Sequence, residues 1–146
     1  YWEYPLHDLL PLLRRSRDLV VQQRLLDGTY AICRFNHLHP PFDDVGVRRA
    51  VAMAVDQRDY MRAVAGNEKD GWETCEGVFT CGTALANEAG SEVLKIRSLE
   101  RAKAALREAG YAGQRVVLLA PGDYPQINAV SLVTADLLQR LGMNLE

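Results

Sequence analysis

"FNHLHPPFDDVGVRRAVAMAVDQRDYM", residues 35–61, holds the most informative change of pattern in the chain. An apolar run reaches Pro40 and Pro41, which have no amide proton to give to a strand ladder and so end any strand there. Asp43 or Asp44 then offers a side-chain oxygen to the free amides of a new helix. From Val47 the apolar residues recur as Val47, Ala50, Val51, Ala54 and Val55, the i, i+3, i+4, i+7, i+8 stripe of an amphipathic helix. Asp56 supplies a second cap, for a helix over "QRDYMRAVA" that Gly66 can end.

Toward the N-terminus, "YWEYP" reads as the end of a strand stopped by Pro5. "HDLLPLLRRS" reads as a short helix, with Asp8 near its start and Arg14 and Arg15 near its end, the charge order that suits a helix dipole. "DLVVQQRLL" and "TYAICRFNHL" are rich in β-branched and aromatic residues. With Asp27-Gly28 between them they predict two antiparallel strands and a tight turn.

Toward the C-terminus, residues 66–97 carry five glycines (Gly66, Gly71, Gly77, Gly82 and Gly90) and no periodicity, the mark of a long loop. "SLERAKAALREAG" predicts a helix with Ser98 as N-cap, Leu99, Ala102, Leu106 and Ala109 on one face, and Gly110 just past its end. "QRVVLLAPG" predicts a strand and "YPQINAVSLVTADLLQRLG" a helix with Ile127, Val130, Val133, Leu137, Leu138 and Leu141 inward. "MNLE" predicts a further strand. Strand, helix and strand at this spacing make a βαβ unit. The reading is α/β: a mixed sheet flanked by helices, residues 1–146 forming one unit. Strand patterns run up to both ends, which predicts a piece of a longer protein.

The totals bound the function. Seventeen basic residues against nineteen acidic ones give a net charge of -2, which predicts no electrostatic grip on nucleic acid or anionic lipid. No apolar run approaches the roughly 20 residues a membrane span needs. The opening "YWEYPLHDLL" is aromatic and acidic where a secretory leader carries basic residues, so any leader lies outside this chain. Glycine-rich phosphate loops, HExxH and GxSxG are missing, which removes the simplest grounds for an enzyme or a cofactor.

Three constellations remain. His37 and His39, two apart on an extended segment, share a face, and Cys33 lies four residues earlier. They sketch a metal site, but a closed zinc site usually has four well-spaced ligands. Cys33 reads more simply as a buried core thiol. Cys75 and Cys81 bracket five loop residues and form a structural disulfide if the chain is exported, or stay free thiols in a reducing compartment. "APGDYPQ" joins a strand to a helix at the carboxyl edge of a sheet, where ligands tend to bind. There Asp123 reads chiefly as a helix cap.

Residues 35–61 resemble the extracellular solute-binding proteins of family 5, the receptors of peptide-type ABC importers. That family carries an Asn after a strand, then Pro-Phe-Asp-Asp/Asn-Val-x-Val-Arg-x-Ala and an Ala-Val/Ile-Asp helix end. The matching residues are Asn36, Pro41, Phe42, Asp43, Asp44, Val45, Val47, Arg48, Ala50, Val55 and Asp56. Gly46 departs from the basic or polar residue common there. "RSLERAKAALREAGY" is similar to the family's Ala-Lys-x-Leu-Leu-x-Glu-Ala-Gly-Tyr/Phe helix, and "LGMNLE" to its Leu-Gly-Ile-Asn-Val turn.

The resemblance implies one lobe of a two-lobed, type II periplasmic-binding-protein fold, with "YWEYP" near the crossover between lobes. It implies ligand capture rather than catalysis, and no cofactor. The expected partners are a small solute, a peptide by default, and a membrane ABC permease, with a monomeric chain. It also implies a periplasmic or extracellular location, which strengthens the Cys75–Cys81 pairing. The family's known peptide-ammonium carboxylate lies downstream of the stretch matched here. Cleft candidates are therefore named by position: Trp2 and Tyr4 near the crossover, Asn36 and His37 at a strand end, Phe79 and Thr80 in the loop. The rival expectation is a small cytosolic α/β enzyme or a metal and thiol module built on Cys33, His37, His39, Cys75 and Cys81.

Overall fold

The computed structural model describes residues 1–3, 5–22, 30–66 and 72–146. In chain order its elements are a 3-10 turn at His7–Leu9, then α1 (Leu10–Arg15), α2 (Val45–Ala54), α3 (Gln57–Ala65) and α4 (Leu99–Glu108). β1 (Arg115–Val116), α5 (Pro125–Arg140) and β2 (Asn144–Leu145) complete it. Helices dominate, and among the described residues the sheet is two parallel strands rather than the mixed sheet expected, a coarse α/β arrangement.

The corner at residues 39–48 is built from its own residues. The amides of Phe42 and Asp43 both donate to the His39 carbonyl at 3.1 Å, and the Pro40–Pro41 bond is cis. Phe35 and Phe42 close across it with ring centroids 4.5 Å apart. Asp44 is the N-cap of α2, its carboxylate accepting the Val47 amide at 3.0 Å. From inside the helix, Arg48 Nη1 reaches back and donates to the carbonyls of Phe42 (2.6 Å) and Asp43 (2.9 Å).

The core lies where α2 packs on α4. Ala50 and Ala102 are wholly buried, and such small side chains let two helices approach closely, with Val47, Val51 and Leu106 around them. Val116 of β1, then Leu137, Leu138 and Leu141, and Met143 continue the same cluster. The Ser98 amide donates to the Met53 carbonyl at 2.9 Å, fastening the start of α4 to the end of α2.

α4 and α5 end in the same way. After α4 the Gly110 amide bonds to Arg107 and the Tyr111 amide to Leu106. After α5 the Gly142 amide bonds to Gln139 and the Met143 amide to Leu138. Each pair is a Schellman cap with glycine at positive φ (78° and 85°), a conformation a Cβ disfavours. In both, the following residue packs back onto the helix, Tyr111 against the core and Met143 within it. The two caps launch β1 and β2 in one direction. The strands pair in parallel, Arg115 with Asn144 and Val116 with Leu145, as the βαβ reading predicts.

Three further expectations are corrected. The N-terminal strands do not form among the described residues: 18–22 and 30–36 have no ladder, and residues 1–3 and 5 are not strand. The Asp27-Gly28 turn lies outside the described residues. Val20 and Ile32 stay 83% and 71% exposed. β-branched sequence becomes strand only where a neighbouring backbone and a core face receive it. Second, Asp123 does not cap α5, which starts from Tyr124 without a side-chain cap and with Pro125 in its first turn. Third, Ile127 is exposed, while Ser131 and Thr134 are buried in its place. Their hydroxyls donate to the carbonyls of Ile127 and Val130, each at 2.8 Å, so burial leaves no polar group unsatisfied.

Candidate functional site

The long loop is fastened to α3 at one end. Asp56 caps α3, accepting the Arg58 amide at 3.0 Å, and this places Gln57 in the first turn. Its amide group grips one loop residue from both sides: Nε2 donates to the Cys75 carbonyl at 2.6 Å, and Oε1 accepts the Cys75 amide at 2.7 Å. Next to it the half-buried Glu76 carboxylate pairs with the more exposed Arg97. Arg97 has φ 45°, a left-handed conformation costly for a side-chain-bearing residue, just before the Ser98 cap of α4. The Trp72 indole donates to the Gly66 carbonyl at 3.2 Å.

The other end closes on itself. Cys75 and Cys81 are joined in a disulfide with Cα atoms 5.7 Å apart. Gly77 lies against the chain that returns: a Cβ there would stand 2.2 Å from the Asn87 carbonyl oxygen, so only glycine fits. Thr83 folds back, its hydroxyl donating to the Thr80 carbonyl at 2.7 Å. Between ring and returning chain is a groove of about 440 Å³, walled by Thr74, Cys75, Phe79, Cys81, Asn87 and Glu88. The Lys95 ammonium, 2.5 Å from Glu88, holds that carboxyl below its usual range and is itself raised by the carboxylate.

A second, larger cleft of about 650 Å³ runs between α3 and α5, lined by Tyr60, Arg97, Leu132, Asp136 and Arg140 among others. Every charge in it is matched: Asp56 with Arg58, Asp59 with Arg62, Asp136 with Arg140, and Arg97 with Glu76. The Tyr60 phenol lies 3.4 Å from the Thr134 hydroxyl, and burial pushes it up. Such a cleft offers packing surface but no charge awaiting a ligand.

The candidate residues fall in different places. Phe79 lines the groove of the disulfide loop and Thr80 accepts the Thr83 turn beside it. Asn36 and His37 are exposed at the approach to the corner, where Asn36 Oδ1 accepts the Leu38 amide at 3.0 Å. Trp2 is exposed, and Tyr4 lies outside the described residues. None of Trp2, Asn36 and His37 lines either cleft. Cys33 is a free, exposed cysteine rather than a core thiol, although nearby protein still desolvates its sulfur and pushes the thiol up. Among the described residues no three His, Cys, Asp or Glu side chains are grouped to hold a metal. Gln57 is the functional-looking residue that sequence reading missed. A glutamine in a first helical turn carries no local signal, because its partner lies eighteen residues on.

Residues 1–146 match the family described as bacterial extracellular solute-binding proteins, family 5 Middle. The chain belongs to that family. A relative from Sinorhizobium fredii, described as "Probable peptide ABC transporter periplasmic-binding protein", is 32% identical to this family 5 chain over 140 residues, 95% of its length. The alignment takes in 26% of that relative, so the family 5 chain spans about a quarter of the curated protein it matches. The corner and its Asp44 cap, the Cys75–Cys81 loop and the paired βαβ strands are therefore features of a family 5 middle segment.

Proposed function

We propose that the chain is part of an exported receptor that captures a peptide or peptide-like solute and delivers it to an ABC permease. Its role is binding rather than catalysis. The observation that carries this is membership of family 5 along all 146 residues, together with a relative named for peptide transport. In this reading the chain is most of one lobe of a type II binding-protein fold and works outside the cytoplasm. Closure of two lobes over the solute is the conformational step, biased by contacts the solute makes to both. The exposed apolar residues Val20, Ile32, Val117 and Leu119 then meet the remainder of the receptor. The solute-facing candidates are Trp2, Tyr4, Asn36, His37, Phe79 and Thr80, with Phe79 favoured because it already borders a groove.

The test is native mass spectrometry of the full-length receptor purified without denaturation. Peptide masses released on unfolding support the reading, and a tightly held nucleotide or metal in their place overturns it. The isolated 146 residues should bind the same solute far more weakly, since a cleft shared between lobes is halved. Equal affinity would refute the two-lobe arrangement.

A further inference from the structure

The disulfide loop has an anchored side and a free side. Cys75 is gripped at its amide and carbonyl by Gln57, and Glu76 is latched to Arg97. Opposite them, Val78 and Phe79 stand 74% and 44% exposed, two apolar side chains at the tip of a covalently closed ring. From α3 the Gln57 amide reaches Cys75, and from Cys75 two routes lead to the tip, the backbone through Glu76 and Gly77 and the sulfur bridge to Cys81. Gly77, pressed on the Asn87 carbonyl, sets the spacing between the ring and the chain that forms the other wall of the groove.

We infer that Gln57 anchors the Cys75–Cys81 ring to α3, and that this anchor and the sulfur bridge act together as a clasp that holds the Val78–Phe79 tip beside the groove. Gln57 is thus a positioning residue for solute capture, although it lines neither groove nor cleft. The inference rests on the reading that Phe79 faces solute. Its physical core is independent of that reading. The grip fixes where the ring sits and the bridge keeps it closed, so cutting one leaves the other in place. A glutamine is suited to the grip because one planar amide carries both a donor and an acceptor, matching the amide and carbonyl of a single residue. Glutamate keeps only the acceptor.

The experiment compares full-length receptor carrying Gln57→Ala, Cys75→Ser with Cys81→Ser, or all three changes, by hydrogen exchange resolved to peptides. Each clasp change should speed exchange in peptides covering Thr83 and Ala86, whose amides bond to the Thr80 and Thr83 carbonyls, on the order of tenfold, the scale of losing an ordinary hydrogen-bonded anchor. The combined variant should exchange faster than either. Gln57→Glu should fall between wild type and Gln57→Ala, and α2 and α4 should be unchanged in all. No response to Gln57→Ala, or a combined variant no faster than the disulfide variant alone, would overturn the clasp. Retention of an equimolar tripeptide mixture is measured on the same proteins. Loosened exchange with undiminished retention keeps the clasp and removes the solute-facing reading. A wild-type receptor that retains no tripeptide counts against the proposed peptide receptor, while the exchange data still decide the clasp.

Discussion

Leu106→Ala should be among the most damaging single changes in the chain. Leu106 is 3% exposed on α4 and belongs to one core cluster with Val47, Ala50 and Val51 of α2. Removing its isopropyl end forfeits most of the transfer energy of a buried leucine side chain, about 2 kcal/mol net of the alanine that remains. The void adds to this, because Ala50 and Ala102 have nothing to extend into it and β-branched Val47 and Val51 are confined to few rotamers. A total of about 3 kcal/mol follows, inside the range seen for leucine truncations in cores. The control is Leu119→Ala in the same 146-residue chain, where the side chain is 86% exposed and the change should stay within about 0.5 kcal/mol. Urea unfolding followed by far-ultraviolet circular dichroism reads both. With a slope of about 2 kcal/mol per molar, Leu106→Ala lowers the midpoint by roughly 1.5 M at unchanged slope. A loss below about 1 kcal/mol would show that the contact between α2 and α4 is not the centre of stability.

Other consequences are quicker to check. Asp44→Ala strips the N-cap of α2 and should cost about 1 kcal/mol in the same urea assay, while Asp44→Asn should restore most of it. Asp56 is held below its usual range, first by its side-chain hydrogen bond with Arg58, so its contribution is present above the unfolded carboxyl value near pH 4 and is lost as pH falls through the lowered one. Stability measured between about pH 5 and pH 2 should therefore fall less steeply in Asp56→Asn than in wild type. Thiol titration under denaturing conditions should find Cys33 alone before reductant and all three cysteines after it. At a given pH below the thiol range Cys33 should label more slowly in the folded protein than in the unfolded chain, because desolvation raises its thiol. Three reactive thiols before reduction would remove the disulfide.

What the sequence made legible was local. The stripe from Val47 to Val55, the caps Asp44, Asp56 and Ser98, and the stop at Gly110 are all settled within one or two helical turns, and all appear in the structure. The βαβ pairing was also readable, since period and spacing decide it. The failures concern partners outside the pattern. Residues 18–22 and 30–36 have strand composition but no ladder among the described residues. Ser131 and Thr134 look polar in a periodicity count, yet each spends its proton on its own helix and can be buried. At the site, the cysteine spacing pointed to the ring, whereas the Gln57 grip exists only once α3 and the loop are laid side by side.

The Arg48 contacts have a consequence for how the corner forms. Its guanidinium binds the carbonyls of Phe42 and Asp43, so the segment that introduces α2 is tied down by a residue inside α2. Neither half is complete alone: the bend has its carbonyls satisfied only when the first helical turn exists, and that turn has its cap only when the bend presents Asp44. Every donor and acceptor involved lies between His39 and Arg48, so the unit closes without help from distant chain. The ten residues from His39 to Arg48 thus answer to one another, and the joint they make is self-contained.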